Sequence, residues 1–144
     1  MRNLFKLKNH ENQRGVAAVE FAIVLPLLLF LFIGITEFGI TYYNKQILTN
    51  AAREGARAGV IDGIADNPNK IKGIVVDYAS EKLISFGADI LSISDVTLDD
   101  SDTGYLKVSV DFNYTYLMLS GFRFFGAEFG PNLSIGASTV MKIE

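Results

Sequence analysis

The chain has no cysteine, one histidine and three prolines in 144 residues. Without thiols it can form neither a disulfide nor a thiolate metal site, a usage compatible with an envelope location. The single histidine, His10, lies in a polar N-terminal segment, so none remains downstream to act as a base or a ligand. A basic surface is missing too. Residues 1–14 carry Arg2, Lys6, Lys8 and Arg14 against Glu11, a net of +3, so a chain total of −3 leaves −6 for the rest. That balance excludes a nucleic-acid footprint. There is no P-loop, no acid paired with a partner base and no Ser/His/Asp set beyond the N-terminal segment. The sequence therefore predicts no catalytic residue, no metal site and no cofactor.

What is present in excess is apolar length. Val16 to Ile35 is twenty residues with Glu20 as the only charge. At about 1.5 Å per residue such a helix spans the roughly 30 Å hydrocarbon core of a bilayer. The cationic segment before it predicts an N-terminus in the cytoplasm and a C-terminus across the membrane. An ordinary secretory signal would have a core of about 7–15 residues with a small-x-small cleavage site close behind. Here the run is longer, Thr36-Glu37-Phe38-Gly39-Ile40 offers no such site, and Ala56-Arg57-Ala58 comes too late. Glu20 needs an explanation, because a carboxylate at mid-bilayer costs about 2.5–3.5 kcal/mol on insertion scales, though less near an interface.

Gly15, then Val16-Ala17-Ala18-Val19, then Glu20-Phe21 and the apolar run, resembles a class III (type IV prepilin) signal. The longer string from Arg14 through Ala22, with Leu25-Pro26 and the block Ala51-Ala52-Arg53-Glu54-Gly55-Ala56-Arg57-Ala58-Gly59, resembles the TadE-like pseudopilins of tight-adherence (Flp-type) pilus systems. The resemblance covers residues 14–59. It implies cleavage by a prepilin peptidase after Gly15, leaving Val16 as the new N-terminus. It also implies that Glu20, one turn on, meets an N-terminal amine, usually methylated, of a neighbouring subunit. The partners implied are prepilin peptidase, other pilins or pseudopilins and an inner-membrane assembly platform, in a bacterial inner membrane. On the residues alone, Glu20 is equally well placed by the helix macrodipole and the interface. The other function class open to such a chain is an uncleaved single-pass anchor whose outer domain binds a periplasmic partner.

In order, residues 1–15 are expected to be a leader without periodicity, residues 16–36 the membrane half of a helix and 37–60 its outer half. Residues 61–144 are expected to form a small α+β domain. Pro26 removes a backbone donor inside the span and should kink or loosen it. In the outer half Phe38, Tyr42, Ile47 and Leu48 alternate with polar residues. Ala52, Gly55, Ala56 and Gly59 build a stripe of small residues at i, i+3, i+4 and i+7. The stripe suits close packing, either on the protein's own sheet or on another helix. Arg53, Glu54 and Arg57 form a solvated or pairing face.

Asn67 and Pro68 predict a helix start after a break at 62–69. Ile71, Ile74, Val75, Tyr78, Ala79, Leu83 and Phe86 carry an amphipathic helix over 68–86, with Gly87 as its stop. Three antiparallel strands follow. Ile90–Leu98 is irregular, with a bulge at Asp95. Tyr105–Leu117 turns Val108, Val110, Phe112, Tyr114 and Tyr116 one way, and Leu133–Ile143 repeats the pattern more weakly. The acidic stretch Asp99–Gly104 has the wrong spacing for a calcium loop, since the glycine comes fifth from Asp100, and reads as a solvated hairpin or a weak cation site. The aromatic link Gly121–Pro131 reads as a core plug, a subunit contact or a flap at the membrane surface.

Overall fold

The structure is a computed structural model and describes residues 8–61, 67–86, 90–100, 104–116 and 132–143, with side chains from residue 15 onward. Its elements are α1 (Lys8–Ile61), α2 (Pro68–Ser80), a 3-10 turn (Ile93–Asp95), β1 (Val96–Asp99), β2 (Tyr105–Thr115) and β3 (Asn132–Lys142). This is the α+β arrangement expected: a long N-terminal helix, a second amphipathic helix and a three-stranded antiparallel sheet. The chain divides between Thr36 and Glu37 into two units.

The helix α1 runs unbroken for 54 residues with Pro26 inside it. It begins at Lys8, not at Val16 as expected. Residues 8–14 contain neither proline nor glycine. Extending an existing helix backwards costs far less than nucleating one, so the polar segment follows the apolar run into the same helix.

In the first unit the apolar side chains from Val16 to Ile35 are exposed or half-buried. In the second unit α1 turns one face inward, and Leu48, Ala51, Ala52 and Ala56 join the core there. Against them lie Ile71, Val75 and Ala79 of α2 and the inner face of the sheet. The strand β2 alternates strictly, with Leu106, Val108, Val110, Phe112 and Tyr114 all buried. Each such aliphatic or aromatic side chain contributes about 1.5–3 kcal/mol on burial. The strand order is β1-β2-β3. The central strand β2 pairs with β3 along its whole length, from Tyr105↔Lys142 to Thr115↔Asn132, and with β1 over Val96↔Val110 to Asp99↔Lys107.

Three boundaries differ from expectation. The helix α2 starts as read, with the Asn67 side chain accepting from the Lys70 N–H at 3.3 Å and Pro68 in the first turn. It stops at Ser80, not Phe86. The Lys82 and Leu83 N–H groups both donate to the Ala79 carbonyl, at 3.0 and 2.9 Å, which closes the helix and turns the chain back. Leu83 thereby packs against the core, half-buried, while Phe86 is exposed.

The segment expected as a strand over Ile90–Leu98 pairs only from Val96. Asp95 is no bulge but part of the 3-10 turn, and its carboxylate accepts the Ser92 N–H at 2.8 Å and hydroxyl at 2.9 Å. A short polar side chain that bonds its own backbone competes with the sheet ladder. The third difference is at the end of β2, which stops at Thr115. The expected stop at Gly87, the whole aromatic link Gly121–Pro131 and residues 101–103 of the acidic stretch lie outside the described residues. Gly104, at φ +91°, opens β2 and is the described position where a left-handed backbone calls for glycine.

Candidate functional site

Two stretches of α1 carry the candidate chemistry. In the first, Val16, Glu20 and Phe21 are exposed, and Glu20 has no hydrogen bond or ion pair with any described residue. The most apolar eighteen-residue window has mean hydropathy 2.7 and no part of it is buried. By length and composition this helix can cross a membrane. A Cβ on Gly15 would have no heavy atom within 4 Å, so packing gives no reason for a glycine there. Thr36 Oγ1 donates to the Phe32 carbonyl at 2.9 Å, satisfying its hydroxyl locally, as suits a residue beside an apolar run.

The second stretch is the inward face of α1 in the outer unit. A Cβ on Gly55 would overlap Val75 Cγ2, and one on Gly59 would overlap Leu106 Cδ2 and stand 3.0 Å from Ile71 Cδ1. The stripe Ala52, Gly55, Ala56, Gly59 therefore lies against α2 and β2 of its own unit, with all four residues buried. Close approach of backbones accounts for glycines that would weaken an isolated helix by up to about 1 kcal/mol each. On the outer side Arg57 pairs with Glu54 at 2.7 Å. That hydrogen bond holds the Glu54 carboxyl below its ordinary range.

Sequence reasoning missed two polar groups on this face, and the partner that one of them takes from β2. Glu37 is 2 % exposed and Asn44 fully buried. The Tyr114 hydroxyl, also buried, donates to Glu37 Oε2 at 2.8 Å. Burial pushes the Tyr114 phenol well above its ordinary value, and the hydrogen bond to Glu37 and its charge push it further. Asn44 makes a two-point clamp on Ile84, accepting its N–H at 3.0 Å and donating to its carbonyl at 2.8 Å. The signal was there: stepping the small-residue stripe backwards through Leu48 by helical spacing lands on Asn44 and then on Glu37. Nearby, Lys45 Nζ donates to the Gly136 carbonyl of β3.

Among the described residues, the contacts of the inward face are packing and hydrogen-bonding contacts. Among the described residues no group of three or more His, Cys, Asp or Glu is placed to hold a metal ion. Glu20 and the Glu37–Tyr114 pair sit in different units.

Comparison with curated proteins found no match, and comparison with solved structures found none. A family model does match, the one described as TadE-like protein, over residues 15–57, so the chain is similar to that family over those residues.

Proposed function

We propose that this chain is a minor pilin-like subunit of a tight-adherence pilus, cut after Gly15 by a prepilin peptidase and assembled through its N-terminal helix. The observation that carries the reading is that the TadE-like match begins at Gly15, ahead of an apolar run whose one acid is Glu20. The bare surroundings of Gly15 support it, since the fold asks for no glycine there and a peptidase would. Cleavage frees an amine on Val16, with an ordinary pKa near 8. Glu20 lies one turn on and has no described partner within its own chain, so an amine from a neighbouring subunit would complete it. Two charges costly in lipid then neutralise one another as the subunit joins.

Head-to-tail contacts of this kind do not close and so build helical assemblies. The outer α+β domain distinguishes such a subunit from a bare helical building block and suits a minor or priming role. Its partners would be the peptidase, other pilins and an inner-membrane platform, with the N-terminus in the cytoplasm as the charge of residues 1–14 directs.

The test is the intact mass and N-terminal sequence of the protein extracted from its host membrane. Loss of residues 1–15 with a methylated Val16 is the expected result. An intact Met1 in cells with an active prepilin peptidase overturns it and leaves a tethered module. In a cleaved background, Glu20→Ala is expected to abolish pili while leaving the outer domain folded.

A further inference from the structure

The turns of α1 from Leu31 to Asn44 are inside out for a helix in water. Leu31, Ile35, Phe38 and Tyr42, at steps of four, three and four, form one exposed stripe, with Phe38 72 % and Tyr42 59 % exposed. The opposite side of the same turns buries Glu37 and Asn44. Apolar outside and polar inside is the pattern of a helix whose solvent is hydrocarbon. Two twenty-residue windows of this helix hold a single acid each: Val16–Ile35 contains Glu20, and Phe21–Ile40 contains Glu37. Among the described residues only the second acid has a provision in the fold, the buried Tyr114 hydroxyl at 2.8 Å. Tyr42 and Tyr43 follow after Thr41, where an aromatic belt would meet the headgroups.

We propose that, in the subunit before assembly, the bilayer covers Phe21 to Ile40, with Glu20 at the cytoplasmic headgroups and the Phe38–Tyr42 stripe docked in the far leaflet. This rests on reading α1 as a membrane span, and it moves the outer boundary from Thr36 to about Thr41. The Glu37–Tyr114 contact then lies at membrane depth, with the carboxylate shielded from lipid by the end of β2. Tyr114 and Tyr116, whose rings meet edge to face at 6.0 Å, come to the headgroup layer with it. The occupant of the stripe is phospholipid, because the stripe is continuous with the exposed run and carries no charge.

The chain has no tryptophan, so single tryptophans report depth without background. The full chain would be reconstituted in phosphatidylethanolamine–phosphatidylglycerol vesicles with brominated acyl chains, carrying Leu28→Trp, Phe38→Trp, Tyr42→Trp or Gln46→Trp. Expected are strong quenching at 28 by deep bromine, comparable quenching at 38, quenching at 42 by shallow bromine, and a water-like, unquenched emission at 46. If 28 is unquenched, the membrane reading itself fails. If 28 is quenched but 38 emits like a water-exposed residue, only the register proposed here is overturned. A blue-shifted 38 indifferent to bromine means that protein, such as a second copy, covers the stripe, and that also overturns it. Adding Tyr114→Phe to Phe38→Trp is expected to red-shift the emission, as loss of the Tyr114 hydroxyl from Glu37 draws the turn toward water. An unchanged spectrum overturns the shielding role of Tyr114.

Discussion

The two halves of α1 use the same residue types to opposite ends. Gly15 and Gly34 have open space where a Cβ would stand, whereas Gly55 and Gly59 have a neighbouring side chain in it. Leu27 and Leu31 are exposed, whereas Leu48 is fully buried. Glu20 has no described partner and Glu37 has Tyr114. One helix thus carries a surface addressed to something outside the molecule and a surface addressed to its own domain. What separates them is the environment each half meets, because local propensity is much the same in both.

Substitutions that respect one half and not the other sharpen the contrast. The largest effect is expected at Gly59→Val, which drives a branched side chain into Leu106 and Ile71 and should lower the stability of the outer unit by about 3 kcal/mol. Gly34→Ala, in the exposed half, should leave that stability unchanged. Urea unfolding of the full chain in detergent, followed by the circular dichroism of the sheet, reads both, and equal losses would erase the distinction.

Next comes Asn44→Leu, which strips both partners from the Ile84 backbone and should cost about 2 kcal/mol. Exchange of the Ile84 amide is its sharper measurement and should rise severalfold. Tyr114→Phe removes one hydrogen bond to a buried carboxylate, an effect of about 1.5–3 kcal/mol in general and expected here near the lower end.

The Tyr114 pair also predicts a pH dependence. The folded-state pKa is raised, so the folded protein keeps a proton that the unfolded chain gives up near pH 10. Its stabilisation is therefore complete below about pH 10 and is lost as pH climbs beyond that. Between pH 9 and 11 the unfolding midpoint of the native chain should fall more steeply than that of Tyr114→Phe. Parallel slopes would remove the phenol from the account. The smallest effect is expected for Arg57→Ala, an exposed pair worth at most about 0.5 kcal/mol, and it should vanish in high salt.

Periodicity made most of this fold legible. The strict alternation of β2 named its buried face from Val108 to Tyr114, and Asn67-Pro68 marked the start of α2 to the residue. The end of α2 was not legible. Leu83 and Phe86 continue the helical spacing, yet the chain leaves the helix at Ser80 and is held by Asn44, forty residues earlier in the sequence. Asp95 escaped for the opposite reason, because its capping contact is so local that a β-rich composition hid it. The residues on either side of Glu37 carry no signal of its burial. Its burial becomes visible only when the stripe of Gly55 and Gly59 is followed back along the helix.

The end of the sheet holds one more lesson. Thr115 and Asn132 stand opposite each other in the last rung of β2 and β3, and their side chains are joined at 3.2 Å. Everything encoded between them therefore departs and returns through one doorway. Closing a flexible connection of twice the length adds only about 0.6 kcal/mol. A change in the length of the stretch between those two ends is therefore expected to cost the eleven-rung pairing little stability, which urea unfolding of a chain shortened or lengthened there would measure.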